Sequence, residues 1–148
     1  MTTRNLEVEP QPRIDTLVRT TDGADVRRTE YAGVVWLNGR PVINDSMTIR
    51  PNPAMARGIQ LPNFDVVFFV PDSLPYVRAQ VAEAPLQLSV ALCGSGEVGA
   101  IVHAAASYVD DPSGAPTWIQ LRLVGHLGWQ GGVSYRVVAL TPVDAVAA

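Results

Sequence analysis

The sequence predicts an all-β fold, an antiparallel sandwich or partly closed barrel of about eight short strands, and three observations lead there. In the stretch 117–140, Ile119, Leu121 and Leu123 alternate with Gln120 and Arg122, and Val133, Tyr135 and Val137 alternate with Ser134 and Arg136. That period of two belongs to strands with one buried and one wet face. Turn signals recur about every 8–12 residues, the spacing of short strands in a sandwich or barrel. Two of those signals, Asp22-Gly23 and Asn38-Gly39, supply the positive φ values of tight hairpin turns.

Size and composition bound the object. With 148 residues, 47% apolar and 17% charged, the chain suits one folded domain whose core needs no disulfide or metal staple. All eleven basic residues are Arg, and the net charge is −3 with a pI near 5.2. Nothing global in that balance favours nucleic acid or an anionic membrane as a partner. The lone Cys93 cannot make an internal disulfide, which suits a reducing compartment. The first residues lack the apolar core of a signal peptide, and no apolar run approaches a membrane span, so synthesis in the cytoplasm is expected.

Taken in order, residues 1–13 carry Glu7, Glu9, Pro10 and Pro12 with little to bury and read as an extended arm. A single β domain over 14–142 and a short apolar tail over 143–148 complete the expected organisation. Ile14 to Thr20 and Val26 to Glu30 form a hairpin around Asp22-Gly23. Tyr31 to Leu37 is the next strand, and Asn38-Gly39 turns it back into Val42-Ile43, with Pro41 placing the return strand at an edge. Met47 and Ile49 mark another short strand, and residues 51–63 a loop between sheets. The run Asp65 to Val70, bounded by Pro62 and Pro71, suits a strand buried on both faces. Residues 73–84 suit one short helix capped by Ser73 with Pro75 in its first turn. Leu86, Leu88, Val90 and Leu92 then alternate with polar or small neighbours in a further strand.

Residues 86–124 support two architectures. Gly94, Gly96 and Gly99 match the G-x-G-x-x-G loop of a dinucleotide-binding α/β unit, which requires a helix over 98–109. The alternative makes Gly94-Ser95-Gly96 a turn and Val98–Val109 a strand, giving a four-strand meander from 86 to 140 that closes in a hairpin. In that strand Val98, Ala100, Val102, Ala104, Ala106 and Tyr108 share one face. The β reading is favoured, because the strand at 119–124 ends in Gly125-His126, where a dinucleotide site needs a carboxylate for the ribose.

Candidate chemistry is sparse. His103 and His126 could meet Cys93, Glu97 or Asp110 at one sheet end, but no ligand spacing such as C-x-x-C is present and no metal is expected. Cys93 has no indicated base, and Ser95 between adjacent glycines fails the G-x-S-x-G pattern. Trp36, Trp118 and Trp129 could stack on a sugar or base as a small-ligand barrel would, but with only three of them spread over the chain, core and hairpin packing is the favoured reading. Arg27-Arg28 should face opposite sides of a strand. The expectation is therefore a non-enzymatic structural or assembly module without cofactor. Its partners would be other copies or a larger particle, as for a phage head-decoration or tail protein. The interaction residues expected on exposed strand positions are Trp118, Arg122, Val124, Trp129 and Val138.

Overall fold

The structure, a computed structural model, describes residues 6–37, 42–43, 64–94, 100–126 and 131–147. Among them are nine strands: β1 (Leu6–Pro10), β2 (Ile14–Arg19), β3 (Asp25–Leu37), β4 (Val42–Ile43), β5 (Phe64–Phe69), β6 (Leu86–Gly94), β7 (Ala100–Asp110), β8 (Thr117–His126) and β9 (Gly131–Pro142). One helical turn, α1 (Arg78–Val81), precedes β6, and a 3-10 turn, Val143–Ala145, follows β9. The first sheet has the order β1-β3-β9-β6 with β2 also on β3, and the second has the order β4-β5-β8-β7. The sheets do not close on each other, so the fold is the sandwich of the two expected architectures.

The core lies between β8 and β9. Ile119, Leu121 and Leu123 meet Val133, Tyr135 and Val137 there, all of them buried, and the edge of the Phe68 ring packs on Tyr135 with centroids 5.8 Å apart. Alternation placed these six residues inside, but the hairpin expected between the two strands does not form. β9 is flanked by β3 along its whole length and by β6 on its other side, while β8 is flanked by β5 and β7. With both edges of each strand occupied, β8 and β9 can meet only face to face. The expected meander is accordingly split, with β6 joining one sheet and β7 the other.

The same exclusion corrects the hairpin expected at Asn38-Gly39. Leu37 pairs with Leu6 on one side and Gly131 on the other, which leaves β3 no edge for a return strand. Val42–Ile43 instead runs parallel to Phe64–Asp65 in the second sheet. The turn itself, the strand at Met47 and Ile49, and the loop 51–63 lie outside the described residues.

Residues 6–10 are not a free arm. β1 pairs with residues 33–37 of β3, and Val8 packs on the core. β2 continues along the same edge of β3, from Ile14 opposite Glu30 to Arg19 opposite Asp25. Three residues separate Pro10 from Ile14 while two separate their partners Gly33 and Glu30, so this edge carries one extra residue, a bulge. The Gln11 amide donates to the Ala32 carbonyl at 2.9 Å within it. Gly33 is required where this edge crosses the core: a Cβ there would lie 2.6 Å from the Tyr135 hydroxyl and 2.7 Å from the Glu9 carbonyl oxygen.

The hairpin between β2 and β3 forms as expected around Asp22-Gly23, with Gly23 at φ +87°. Its Gly23 amide donates to the Thr20 carbonyl and its Thr20 amide to the Ala24 carbonyl, both at 3.0 Å. β5 is buried on both faces only over Phe64–Val66, and Phe69 is exposed. The helix expected within 73–84 is one turn, Arg78–Val81, with Val77 at its N-cap and no side-chain cap. Ser73 serves the second sheet instead: its Oγ accepts from the Ile119 amide at 3.3 Å. The tail also docks, because Val77 donates to the Ala145 carbonyl at 2.8 Å and Ala147 to the Pro75 carbonyl at 2.6 Å.

Residues 100–110 are a strand, not a helix, with a register shift between Ile101 and His103. The unpaired Val102 points away from the core, and Ile101 joins Ala104, Ala106 and Tyr108 on the core side. A strict period of two puts Val102 on the face of Ala104, Ala106 and Tyr108, and Ile101 on the other. One inserted residue reverses that phase N-terminal to the bulge.

Candidate functional site

The expected interaction residues fall on different surfaces. Trp118, Arg122 and Val124 lie on the outer face of the second sheet, alternating with buried Ile119, Leu121 and Leu123, and each is half-buried. Trp118 Nε1 donates to Asp111 Oδ1 at 3.2 Å. Arg122 grips Asp65 through Nε at 3.4 Å and Nη2 at 3.2 Å, a two-point pairing that satisfies a carboxylate otherwise shut off from water. Val138 is on the first sheet, opposite Glu30 and Gln87, and only 7% exposed. The exposure expected of it is not found, because its neighbours on β3 and β6 close over it. Trp129 lies outside the described residues.

A tryptophan platform is not assembled either. Trp36 sits on the outer face of the first sheet, where its Nε1 donates to Glu9 Oε2 at 2.9 Å, and Trp118 sits on the outer face of the second. Arg27 and Arg28 point to opposite sides of β3 as expected. Arg27 meets Asp15 at 3.7 Å and Arg28 meets Glu30 at 3.9 Å.

Among the described residues no three His, Cys, Asp or Glu side chains are grouped to hold a metal ion. His103 and Cys93 belong to different sheets. Asp110 lies seven positions beyond His103 on β7, roughly 23 Å away at strand rise. Its carboxyl is held below the usual range by a hydrogen bond from Thr117 and by Arg78, whose Nε is 2.9 Å away. Burial pushes the Cys93 thiol up, the opposite of what a nucleophile requires. Gly94 ends β6, while Gly96 and Gly99 lie outside the described residues. A strand at 100–110 removes the helix N-terminus on which a dinucleotide pyrophosphate would rest.

The chain's four tyrosines, Tyr31, Tyr76, Tyr108 and Tyr135, lie within the sandwich, and the hydroxyls of Tyr108 and Tyr135 are buried there with no hydrogen-bond partner among the described residues. The Tyr31 and Tyr76 hydroxyls are 2.7 Å apart, the Leu74 amide donates to Tyr31 at 3.0 Å, and Tyr108 meets Tyr76 edge-on at 5.5 Å. Burial raises the pKa of all four, Tyr135 to about 12. Tyr31, Tyr76 and Tyr135 are cut off from solvent and offer nothing to a substrate, and the bonded Tyr31–Tyr76 pair fixes how the core is arranged.

What stands open is the edge formed by β2. Ile14 is 54% exposed, Leu17 63% and Val18 41%, three large apolar side chains on a six-residue strand that, among the described residues, is paired on one side only. Sequence reasoning found the strand and missed the exposure. Its signal was apolar residues at 14, 17 and 18, which fall on both faces and so cannot all reach one core. The backbone phase of this edge follows from the turn. The Thr20 amide bonds to Ala24, and hydrogen-bonded pairs alternate along an antiparallel ladder. Val18 with Val26, Thr16 with Arg28 and Ile14 with Glu30 are then the bonded pairs, and Asp15, Leu17 and Arg19 aim their N–H and C=O groups outward.

Of the other borders among the described residues, β1 carries Pro10 and is flanked by Pro12, residues without an N–H, and the β7 border is broken by the bulge at Val102; β6 is likewise paired on one side only, with β9, and turns out a single large apolar side chain, Leu92 at 38% exposed. A groove of about 810 Å³ beside the β2–β3 turn is walled by Ala24, Val26, Ala82, Pro85, Leu140 and Pro142, with Asp25 and Glu83 among its lining. Its walls are mostly apolar, with Gln80 and Thr141 as further polar residues in the lining. No helix among the described residues is long and apolar enough to cross a membrane. Neither a family model, nor a curated protein, nor a solved structure matches the chain.

Proposed function

We propose that the protein is a non-enzymatic assembly module that self-associates by backbone pairing at open sheet edges, in the manner of a virion component such as a head-decoration or tail protein. The observation that carries this reading is β2, a strand with one side unpaired among the described residues and three large apolar side chains turned to water. Natural proteins usually shield such an edge with charge, proline or a bulge, because an unshielded edge is a template for another strand. Residues 6–10 are used within the chain's own sheet, so the sheet edge and not an extended arm is the part that reaches a neighbour.

Light scattering on size-separated protein over about 10 μM to 1 mM, the range in which weak edge contacts associate, tests the reading. The mass is expected to rise above the 15.9 kDa of one chain as concentration increases. A mass of one chain throughout that range contradicts it.

A further inference from the structure

We infer that the partner at this edge is a second copy of the chain, with β2 pairing antiparallel to β2 about a twofold axis at Leu17. This deepens the assembly reading and rests on it. Backbone phase restricts the choice first. In an antiparallel pair, residues whose N–H and C=O groups point outward must face residues of the same kind. Asp15, Leu17 and Arg19 are the outward set, so odd positions must face odd positions. Three central registers satisfy that condition, with twofold axes at Thr16, Leu17 or Val18.

Charge then separates them. An axis at Thr16 sets Arg13 opposite Arg19, which is repulsive. An axis at Val18 sets Asp15 opposite uncharged Thr21. The axis at Leu17 sets Asp15 opposite Arg19 twice, once on each side, and opposite charges across a strand pair are favourable. Arg19 is available for this, with its side chain 82% exposed and its contact within the chain a 3.4 Å pair to Asp25. Asp15 is held in place by the Thr29 hydroxyl at 2.6 Å, by Arg13 at 3.2 Å and by Arg27 at 3.7 Å, so Arg19 of the second copy would join two guanidinium groups of the chain's own around this carboxylate.

The side chains agree with the same register. Leu17 meets its own copy, Val18 faces Thr16, and Ile14 lies diagonal to Val18, so the three exposed apolar residues cover one another. A self-complementary strip of this kind is what a twofold interface requires. Paired residues at the axis would have Cα atoms about 5.5 Å apart, within the span a disulfide bridges.

Three substitutions and one cross-linking comparison test this on the full chain. Leu17→Pro removes an outward N–H while sparing every bond to β3, and is expected to abolish association with the thermal midpoint nearly unchanged. Arg19→Glu is expected to weaken association about tenfold, by turning two attractive pairs into repulsive ones, and Arg19→Lys to preserve it. In a Cys93→Ser background, Leu17→Cys should cross-link under mild oxidation at least tenfold faster than Arg19→Cys. Should Leu17→Pro fail to fold, the cross-linking comparison still decides. An oligomer indifferent to Leu17→Pro, or equal cross-linking at 17 and 19, overturns this inference while leaving the assembly reading standing. If wild type never associates, both fall together.

Discussion

Raising the pH above about 10 is expected to unfold the protein over a narrow interval, with tyrosinate absorbance and loss of β-sheet circular dichroism appearing together. A tyrosine in an unfolded chain ionises near pH 10. In the folded chain burial raises the pKa of Tyr31, Tyr76 and Tyr108, and pushes Tyr135 up to about 12. Below pH 10 both states keep these protons, and the tyrosines contribute no pH dependence. Above it the unfolded chain releases protons that the folded one retains, so stability falls. Each such tyrosine costs about 1.4 kcal/mol per pH unit, and four together approach the whole stability of an ordinary domain within one or two units. Titration of the phenols near pH 10 with the sheet signal intact would show instead that the four rings are open to water.

Leu121→Ala is expected to lower the unfolding free energy by about 2–5 kcal/mol, the range for truncating a buried leucine. Leu121 lies in the central strand of the second sheet, fully buried among residues of both sheets. Neither sheet can move in to fill the space without breaking the ladders β8 shares with β5 and β7. Urea unfolding should show a lower midpoint at an unchanged slope. Val102→Ala supplies the contrast. That side chain is 65% exposed at a bulge, and its loss should change stability by no more than about 0.5 kcal/mol. Comparable losses at both positions would place Val102 in the core and contradict the bulge.

Much of the fold was legible because a buried face leaves a period of two. Ile119, Leu121, Leu123, Val133, Tyr135 and Val137 were assigned inward from alternation alone. The partner of each strand was not legible, since alternation names a face and is silent about which neighbour shares the ladder. A glycine-rich stretch between two such strands resembles a hairpin whether the chain turns within a sheet or crosses to the other. β1 was hidden for a different reason: Leu6-Glu7-Val8-Glu9 alternates, but over too few residues to stand out beside Pro10 and Pro12. The bulge at Val102 leaves no mark in composition, because an inserted valine is as good a strand residue as its neighbours. The open edge was the least legible feature. Apolar residues at 14, 17 and 18 fall on both faces of the strand and so cannot all be covered by one core, but which of them stay open depends on how far the second sheet extends, a tertiary fact.

Amide hydrogen exchange along β2 at two protein concentrations tests the central claim most directly. In dilute solution the Thr16 and Val18 amides, bonded to β3, should be protected, and those of Asp15, Leu17 and Arg19 should exchange freely. At high concentration the latter three should gain protection together while the β6 border stays as it was. Free exchange of the Leu17 amide at every concentration, or its protection already in the lone chain, would contradict an edge that is open in the monomer and closed by a second copy.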